Sequence, residues 1–209
     1  MLTAIGNVMR ELHQRGWITT RDGNVSLRRK GSSTLYITPS GVRKTIMHPE
    51  HMIRMSIGED GTLDVGEANP SGELHMHWLL QKDAPCTRAI VHAHPTHIIA
   101  AIYRGFDLQE ICEQFPEIFR YTRVGPTVAA LPAVTAELGE ATAVAHGLVQ
   151  GVIAFDIVGQ AQHGVCSVGT DPWNAFEHIE RLNHICEIVL ASGVSPVSVG
   201  DMRSLTEDT

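Results

Sequence analysis

The sequence predicts a single α/β domain, and three observations carry that prediction. Segments in which apolar and polar residues alternate, the period of a strand, are interleaved along the chain with segments whose apolar residues recur every three to four positions, the period of a helix. With 209 residues, the chain can bury a full hydrophobic core without disulfides or metal clips. No linker, internal repeat or low-complexity stretch divides it, so residues 1–199 are read as one domain and the polar residues 200–209 as a tail.

The elements follow in order. Ile5, Val8, Met9 and Leu12 stand at helical spacing, and the helix is expected to stop near Gly16 with Trp17 and Ile18 packed beneath it. Residues 24–28 alternate as a half-buried strand does; Gly31-Ser32-Ser33 turns the chain, and residues 34–38 return as a second strand. Pro39-Ser40-Gly41 is a sharp turn rich in backbone donors, and a short helix starts at Pro49. Residues 53–57 and 63–65 read as strands, and Ser71 as the N-cap of a helix through Leu74, Trp78 and Leu79. The apolar run 89–93 is a strand, after which Pro95 suits the first position of a helix through Ile98, Ile99 and Ala101. Residues 107–121 predict short helical turns, residues 128–131 a strand, residues 135–148 a helix, and residues 152–158 a strand that is followed by another from Val165. A long helix closes the domain, with Asp171 as cap and Pro172 at its first position. Its buried stripe is Ala175, Ile179, Leu182, Cys186 and Val189, and Glu177 and Arg181 pair on its exposed side.

Composition excludes several classes of function. Sixteen basic against 23 acidic residues, with no basic run longer than Arg28-Arg29-Lys30, argue against a nucleic-acid partner. No apolar run approaches a membrane span, and residues 1–6 show neither a basic leader nor a secretory apolar segment, so a cytoplasmic location is expected. Cys86, Cys112, Cys166 and Cys186 form no Cys-x-x-Cys clip and are read as reduced core residues. Histidine is the compositional outlier, with twelve copies, which points toward metal binding or proton transfer.

The candidate chemistry centres on His92 and His94. Two residues apart on a strand, they face the same side one pleat apart, so both imidazoles can grip one ion. His163, in the turn Gln162-His163-Gly164 between two apolar strands, is either a solvated turn histidine or a third imidazole. Three histidines with an open position are the ligand set of a catalytic rather than a structural zinc site. Glu73, at a helix start, is either a dipole contact or, if it faces the metal, the acid or base that moves a carbon-bound proton. Asn24, Ser26, Thr38, Ser40, Gly41 and Ser71 are small donors on turns that could wrap an anion.

Taken together, Gly23-Asn24-Val25-Ser26, Ile37-Thr38-Pro39-Ser40-Gly41, Pro70-Ser71-Gly72-Glu73, Val91-His92-Ala93-His94 and Gln162-His163-Gly164 resemble, in order and spacing, the motifs of the class II aldolase/adducin family. The resemblance implies a three-layer αβα sandwich around a central, largely antiparallel sheet, and a homotetramer with active sites at subunit interfaces. It implies that His92, His94 and His163, with Glu73 in the empty site, bind Zn2+ or another divalent metal such as Mn2+ or Co2+, and that Glu73 is the catalytic acid/base. Asn24, Thr38, Ser40, Gly41, Ser71 and Gly72 would hold a substrate phosphate. The implied reaction is cleavage of a ketose 1-phosphate to dihydroxyacetone phosphate and an aldehyde through a metal-stabilised enediolate.

Two departures keep other reactions open. Many aldolases of the family carry Ser-Ser before the glutamate, where this chain has Ser71-Gly72. Fuculose aldolase uses a tyrosine in mid-chain and another near its end, whereas the last tyrosine here is Tyr121. Tyr121 and Glu117 are candidate proton carriers or structural groups, and Arg120 and Arg123 could meet a carboxylate of a sugar-acid substrate. Decarboxylation, 4-epimerisation and dehydration on the same scaffold are therefore the alternatives. A non-catalytic adducin-like module fits least, because such modules have lost the metal histidines. Among the remaining histidines, His75, His77, His97, His178 and His184 are read as structural or surface groups, with His97 the expected support behind the metal ligands.

Overall fold

A computed structural model describes residues 1–84 and 86–196, so the tail 200–209 lies outside the described residues. The opening helix α1 (Leu2–Gln14) buries Ile5, Val8, Met9 and Leu12 on one stripe and ends before Gly16, with Trp17 and Ile18 buried beyond it as expected. Strands β1 (Asn24–Arg28), β2 (Thr34–Ile37), β3 (Ile53–Ile57) and β4 (Leu63–Asp64) follow as a meander. After helix α2 (Leu74–Asp83) comes β5 (Ala89–Ala93), then helices α3 (Thr96–Tyr103) and α4 (Leu108–Glu113). Helix α5 (Ala136–Ala145), strands β6 (Ile157–Gln160) and β7 (Gly164–Gly169), and helix α6 (Pro172–Ser192) complete the domain.

The strands form one seven-stranded sheet of order β4-β3-β2-β1-β5-β7-β6. Every pairing is antiparallel. The register sets Asn24 opposite His92 and His92 opposite Cys166, which makes Asn24 a cross-strand neighbour of the first candidate ligand. Alternate residues of β1 and β5 serve different layers. Val25, Leu27, Ala89, Val91 and Ala93 join the core with α1 and α6, while Ile90 packs with Met76 and Leu80 of α2 and Leu138 of α5. The architecture is thus the three-layer αβα sandwich that the resemblance implied.

Several expectations need correction. The polar residues of β1 do not face solvent: Asn24 and Ser26 are as buried as Val25 and Leu27, because α2 covers that side of the strand. Residues 128–131 make no strand, only a single parallel bridge from Val128 to Gln160. The strand expected at 152–158 begins at Ile157, because the backbone amides of Ala154 and Phe155 donate to the His146 carbonyl and fold that segment back. Pro95 caps α3 rather than entering it, and the cap of α2 is Glu73 rather than Ser71. Ser71 acts one turn earlier, its Oγ accepting from the Glu73 amide at 3.3 Å. Cys86 is exposed, unlike the three buried cysteines. The capping of α6 is as expected, with Asp171 accepting from the amides of Trp173 and Asn174.

Candidate active site

His92 enters from the buried centre of the sheet. Its Nδ1–H donates to the Val165 carbonyl of the neighbouring strand at 2.9 Å, which leaves Nε2 as a bare acceptor facing the cavity. His94 follows where β5 ends, and its amide, donating to the Trp17 carbonyl at 2.7 Å, fixes the chain there. His163 sits in the β6–β7 turn, which Gln162 tightens with a left-handed φ of 59°. Gly164 allows that turn its close approach: a Cβ there would lie 2.4 Å from the Ala93 carbonyl oxygen and 2.7 Å from the His94 ring. One ligand nitrogen from each of the three histidines falls within 4.8 Å of the others.

Glu73 is buried beside them, with Oε2 3.2 Å from His92 Nε2 and Oε1 3.6 Å from His163 Nε2. Asn24 donates from Nδ2 to Oε2 at 2.8 Å, whereas Oε1 has no hydrogen-bond partner. Burial first, and then the neighbouring imidazoles, hold the pKa of His92 well below the ordinary histidine value. His94 is lowered by burial and by His163. His92 Nε2, bare and 3.2 Å from Glu73 Oε2, is an acceptor facing an acceptor, and His94 Nε2 lies 3.0 Å from it. A divalent cation resolves that conflict, so the residues present fit a metal ion with nitrogen and oxygen ligands.

These groups line one end of a cavity of about 260 Å3. The other end is made of two turns, joined by a bridge between Pro39 and Pro70 and by hydrogen bonds from the Ser71 amide to the Thr38 carbonyl (3.1 Å) and from the Ser40 amide to the Asn69 carbonyl (3.0 Å). Ser40, Gly41, Ser71 and Gly72 line it, and so do Arg21, Asp22 and Lys44. Lys44 is only 2% exposed, and its Nζ donates to the Pro39 carbonyl at 2.6 Å. Burial lowers its pKa, with the Asp22 charge pulling the other way. A desolvated cation with one hydrogen-bond acceptor is suited to an anionic ligand.

The structure therefore brings His92, His94, His163, Glu73, Asn24, Ser40, Gly41, Ser71 and Gly72 to one cavity. It does not bring Ser26 or Thr38 there. Both are fully buried: the Ser26 hydroxyl contacts Gln81 and His77, and Thr38 Oγ1 accepts from the Val25 amide at 3.2 Å. Tyr121 is 54% exposed in a separate surface groove with Glu117 and Arg181, outside the cavity wall. Arg123 is committed to Asp156, and His97 to Asn183. The support behind the centre comes instead from His77, which contacts Asn24 and Ser26 and stands one helical turn after Glu73, a spacing visible in the sequence. Lys44 carried no comparable signal. Val134 is a further addition to the wall; its Cγ1 lies where a Cβ on Gly72 would come within 2.6 Å, so the second serine of the Ser-Ser pair would require the Val134 side chain to shift.

Comparison with known proteins agrees with this geometry. Residues 3–190 match the family described as Class II Aldolase and Adducin N-terminal domain. A probable bifunctional methylthioribose-1-phosphate isomerase/methylthioribulose-1-phosphate dehydratase of Nocardia farcinica is 25% identical over 207 residues, a match that covers 90% of this chain and 35% of that protein. A 5-deoxy-D-ribulose 1-phosphate aldolase of Bacillus thuringiensis serovar kurstaki is 25% identical over 186 residues, 89% of this chain and 80% of that one. Among solved structures, a sugar-phosphate aldolase from Thermotoga maritima shares the fold with a TM-score of 0.77 at 22% identity, over 93% of this chain and 97% of that one. Among the described residues, no helix is long and apolar enough to cross a membrane.

Proposed function

We propose, for a chain that belongs to the class II aldolase and adducin family, a divalent-metal-dependent lyase that cleaves a ketose 1-phosphate to dihydroxyacetone phosphate and an aldehyde. The observation that carries this reading is the convergence of three imidazoles on a buried carboxylate with one unpartnered oxygen. A cation held by His92, His94 and His163, with zinc the first choice and Mn2+ or Co2+ the others, supplies Lewis-acid stabilisation of negative charge on the oxygens of a bound hydroxy-ketone.

The chain's own residues supply the rest. Glu73 Oε1, free of other partners, takes and returns the carbon-bound proton, while Asn24 steadies Oε2. The turns carrying Ser40, Gly41, Ser71 and Gly72, with the Lys44 ammonium, hold the phosphate at the far end of the cavity, so that remote binding energy places the reacting carbons. The protein works in the cytoplasm as a homotetramer whose sites are completed at subunit interfaces.

One observation favours a second reading. Within one subunit no tyrosine lines the cavity among the described residues, so the hydroxyl proton shed as an aldehyde departs finds no phenolic group to carry it unless a neighbouring subunit supplies one. Decarboxylation, 4-epimerisation or dehydration of a sugar phosphate or sugar-acid derivative would use the same centre.

The test is metal analysis of the purified protein together with dihydroxyacetone phosphate release from L-fuculose 1-phosphate and 5-deoxy-D-ribulose 1-phosphate. Wild type should release it, and Glu73→Gln should lose about 10²- to 10⁴-fold in rate with its metal retained. Bound metal without any release moves the assignment to the second reading, and a metal-free protein removes the enzyme reading altogether.

A further inference from the structure

His77 has no part in the chemistry above, yet its ring is fully buried and both its nitrogens are engaged. Nε2 lies 2.5 Å from Asn24 Oδ1, and Nδ1 lies 2.7 Å from Ser26 Oγ. One neighbour is a hydroxyl, which can donate or accept, and the other a carbonyl oxygen, which only accepts, so a single N–H on the ring serves both contacts.

The neighbours decide which nitrogen carries the proton. Asn24 turns its amide nitrogen to Glu73, because a carboxylate only accepts, and Nδ2 is 2.8 Å from Oε2. That leaves Asn24 Oδ1, also an acceptor, against His77 Nε2, so the proton belongs on Nε2. Nδ1 is then an acceptor for the Ser26 hydroxyl, whose other acceptor, Gln81 Oε1, is more distant at 3.1 Å. Gln81 is anchored in turn, donating from Nε2 to the Arg88 carbonyl at 2.8 Å. The chain of hydrogen bonds thus runs from the buried Ser26 hydroxyl through His77 and Asn24 to the carboxylate.

We infer that His77 is a positioning residue for Glu73: its Nε2–H locks the Asn24 amide in the orientation that anchors Oε2, and so reserves Oε1 for proton exchange. If the amide flipped, its carbonyl would oppose the carboxylate, and Glu73 would lose the one hydrogen bond that distinguishes its two oxygens. The inference rests on the acid/base reading of Glu73.

Two variants separate positioning from simple filling of space. His77→Gln places an amide nitrogen close to the position of Nε2 and retains the donor to Asn24, whereas His77→Asn keeps a polar group near Ser26 and loses that donor. One probe is the exchange of the C3 hydrogens of dihydroxyacetone phosphate with solvent deuterium, followed by proton NMR on metal-loaded protein. The other is the imidazole 15N spectrum of His77 without substrate, assigned by its loss in His77→Gln. We expect an Nε2-protonated tautomer at pH 7, exchange slowed about 10- to 100-fold in His77→Asn at unchanged metal content and ligand affinity, and exchange within about threefold of wild type in His77→Gln. An Nδ1-protonated ring overturns the inference, as does a His77→Asn protein that exchanges at the wild-type rate or slows only by losing metal. Undiminished exchange in Glu73→Gln, or none in wild type, overturns the acid/base or aldolase reading instead, and the tautomer then judges His77 alone.

Discussion

The two faces of the central sheet are built from the same strands and do opposite work. Toward α1 and α6, strands β1 and β5 present Val25, Leu27, Val91 and Ala93, which join Leu12, Ile179 and Leu182 in an apolar cluster. Toward α2, the alternate residues Asn24, Ser26 and His92 meet Glu73, His77 and Gln81. Burying such groups unpaired costs about 1–3 kcal/mol each, so that face is tolerated only because its members satisfy one another. Among the described residues, two of the four buried side-chain atoms without hydrogen-bond partners, Glu73 Oε1 and His163 Nδ1, belong to residues of the cavity wall. Both sides of the sheet carry an apolar core, but the candidate chemistry lies on one side alone.

The contrast can be tested most strongly with pH. On the α2–α5 side, His77 and His146 are held neutral by burial, with pKa values of about 3 and about 4. The unfolded chain takes up protons at these positions below about pH 6.5, which the folded chain refuses. Stability is therefore complete above pH 6.5 and falls as the pH drops toward those values, by about 1.4 kcal/mol per pH unit for each histidine. Urea midpoints measured at pH 7, 6 and 5 should decline in that order, and a flat series would show that the buried rings are not the neutral groups described. On the apolar face, Ile179→Ala should cost about 2–5 kcal/mol in denaturant unfolding while leaving the metal stoichiometry of the folded protein intact. If metal is lost at conditions where that variant is folded, the division of labour between the faces fails. The smallest effect belongs to the rim: Lys44→Met should raise KM for a phosphorylated substrate about tenfold, or about 1.4 kcal/mol, with little change in kcat. An unchanged KM would remove Lys44 from the anion site.

The sequence revealed the second face only in part. His92 and His94 were legible because strand alternation is local, and the Asp171 cap because its signal spans three residues. The burial of Ser26 and Thr38 was not, since period-2 alternation cannot distinguish a polar face turned to water from one covered by a helix such as α2. His77 was visible as a spacing of four from Glu73, but its partner Asn24 is remote in sequence, and only the packing of α2 over β1 joins them. Lys44 reaches the cavity through the turn that ends in a hydrogen bond to Pro39, a tertiary fact with no periodic signature. Tyr121 was proposed from residue type alone, and residue type does not say where an exposed ring lies.

Val134 holds a left-handed backbone with φ of 65°, which costs a β-branched residue about 1–3 kcal/mol, and its side chain fills the space above Gly72. The two positions are consequently coupled: a side chain at 72 requires the exposed Val134 side chain to give way, whereas a glycine at 134 would relax the backbone but open the wall. A change of substrate at this mouth is eased when position 134 changes with it.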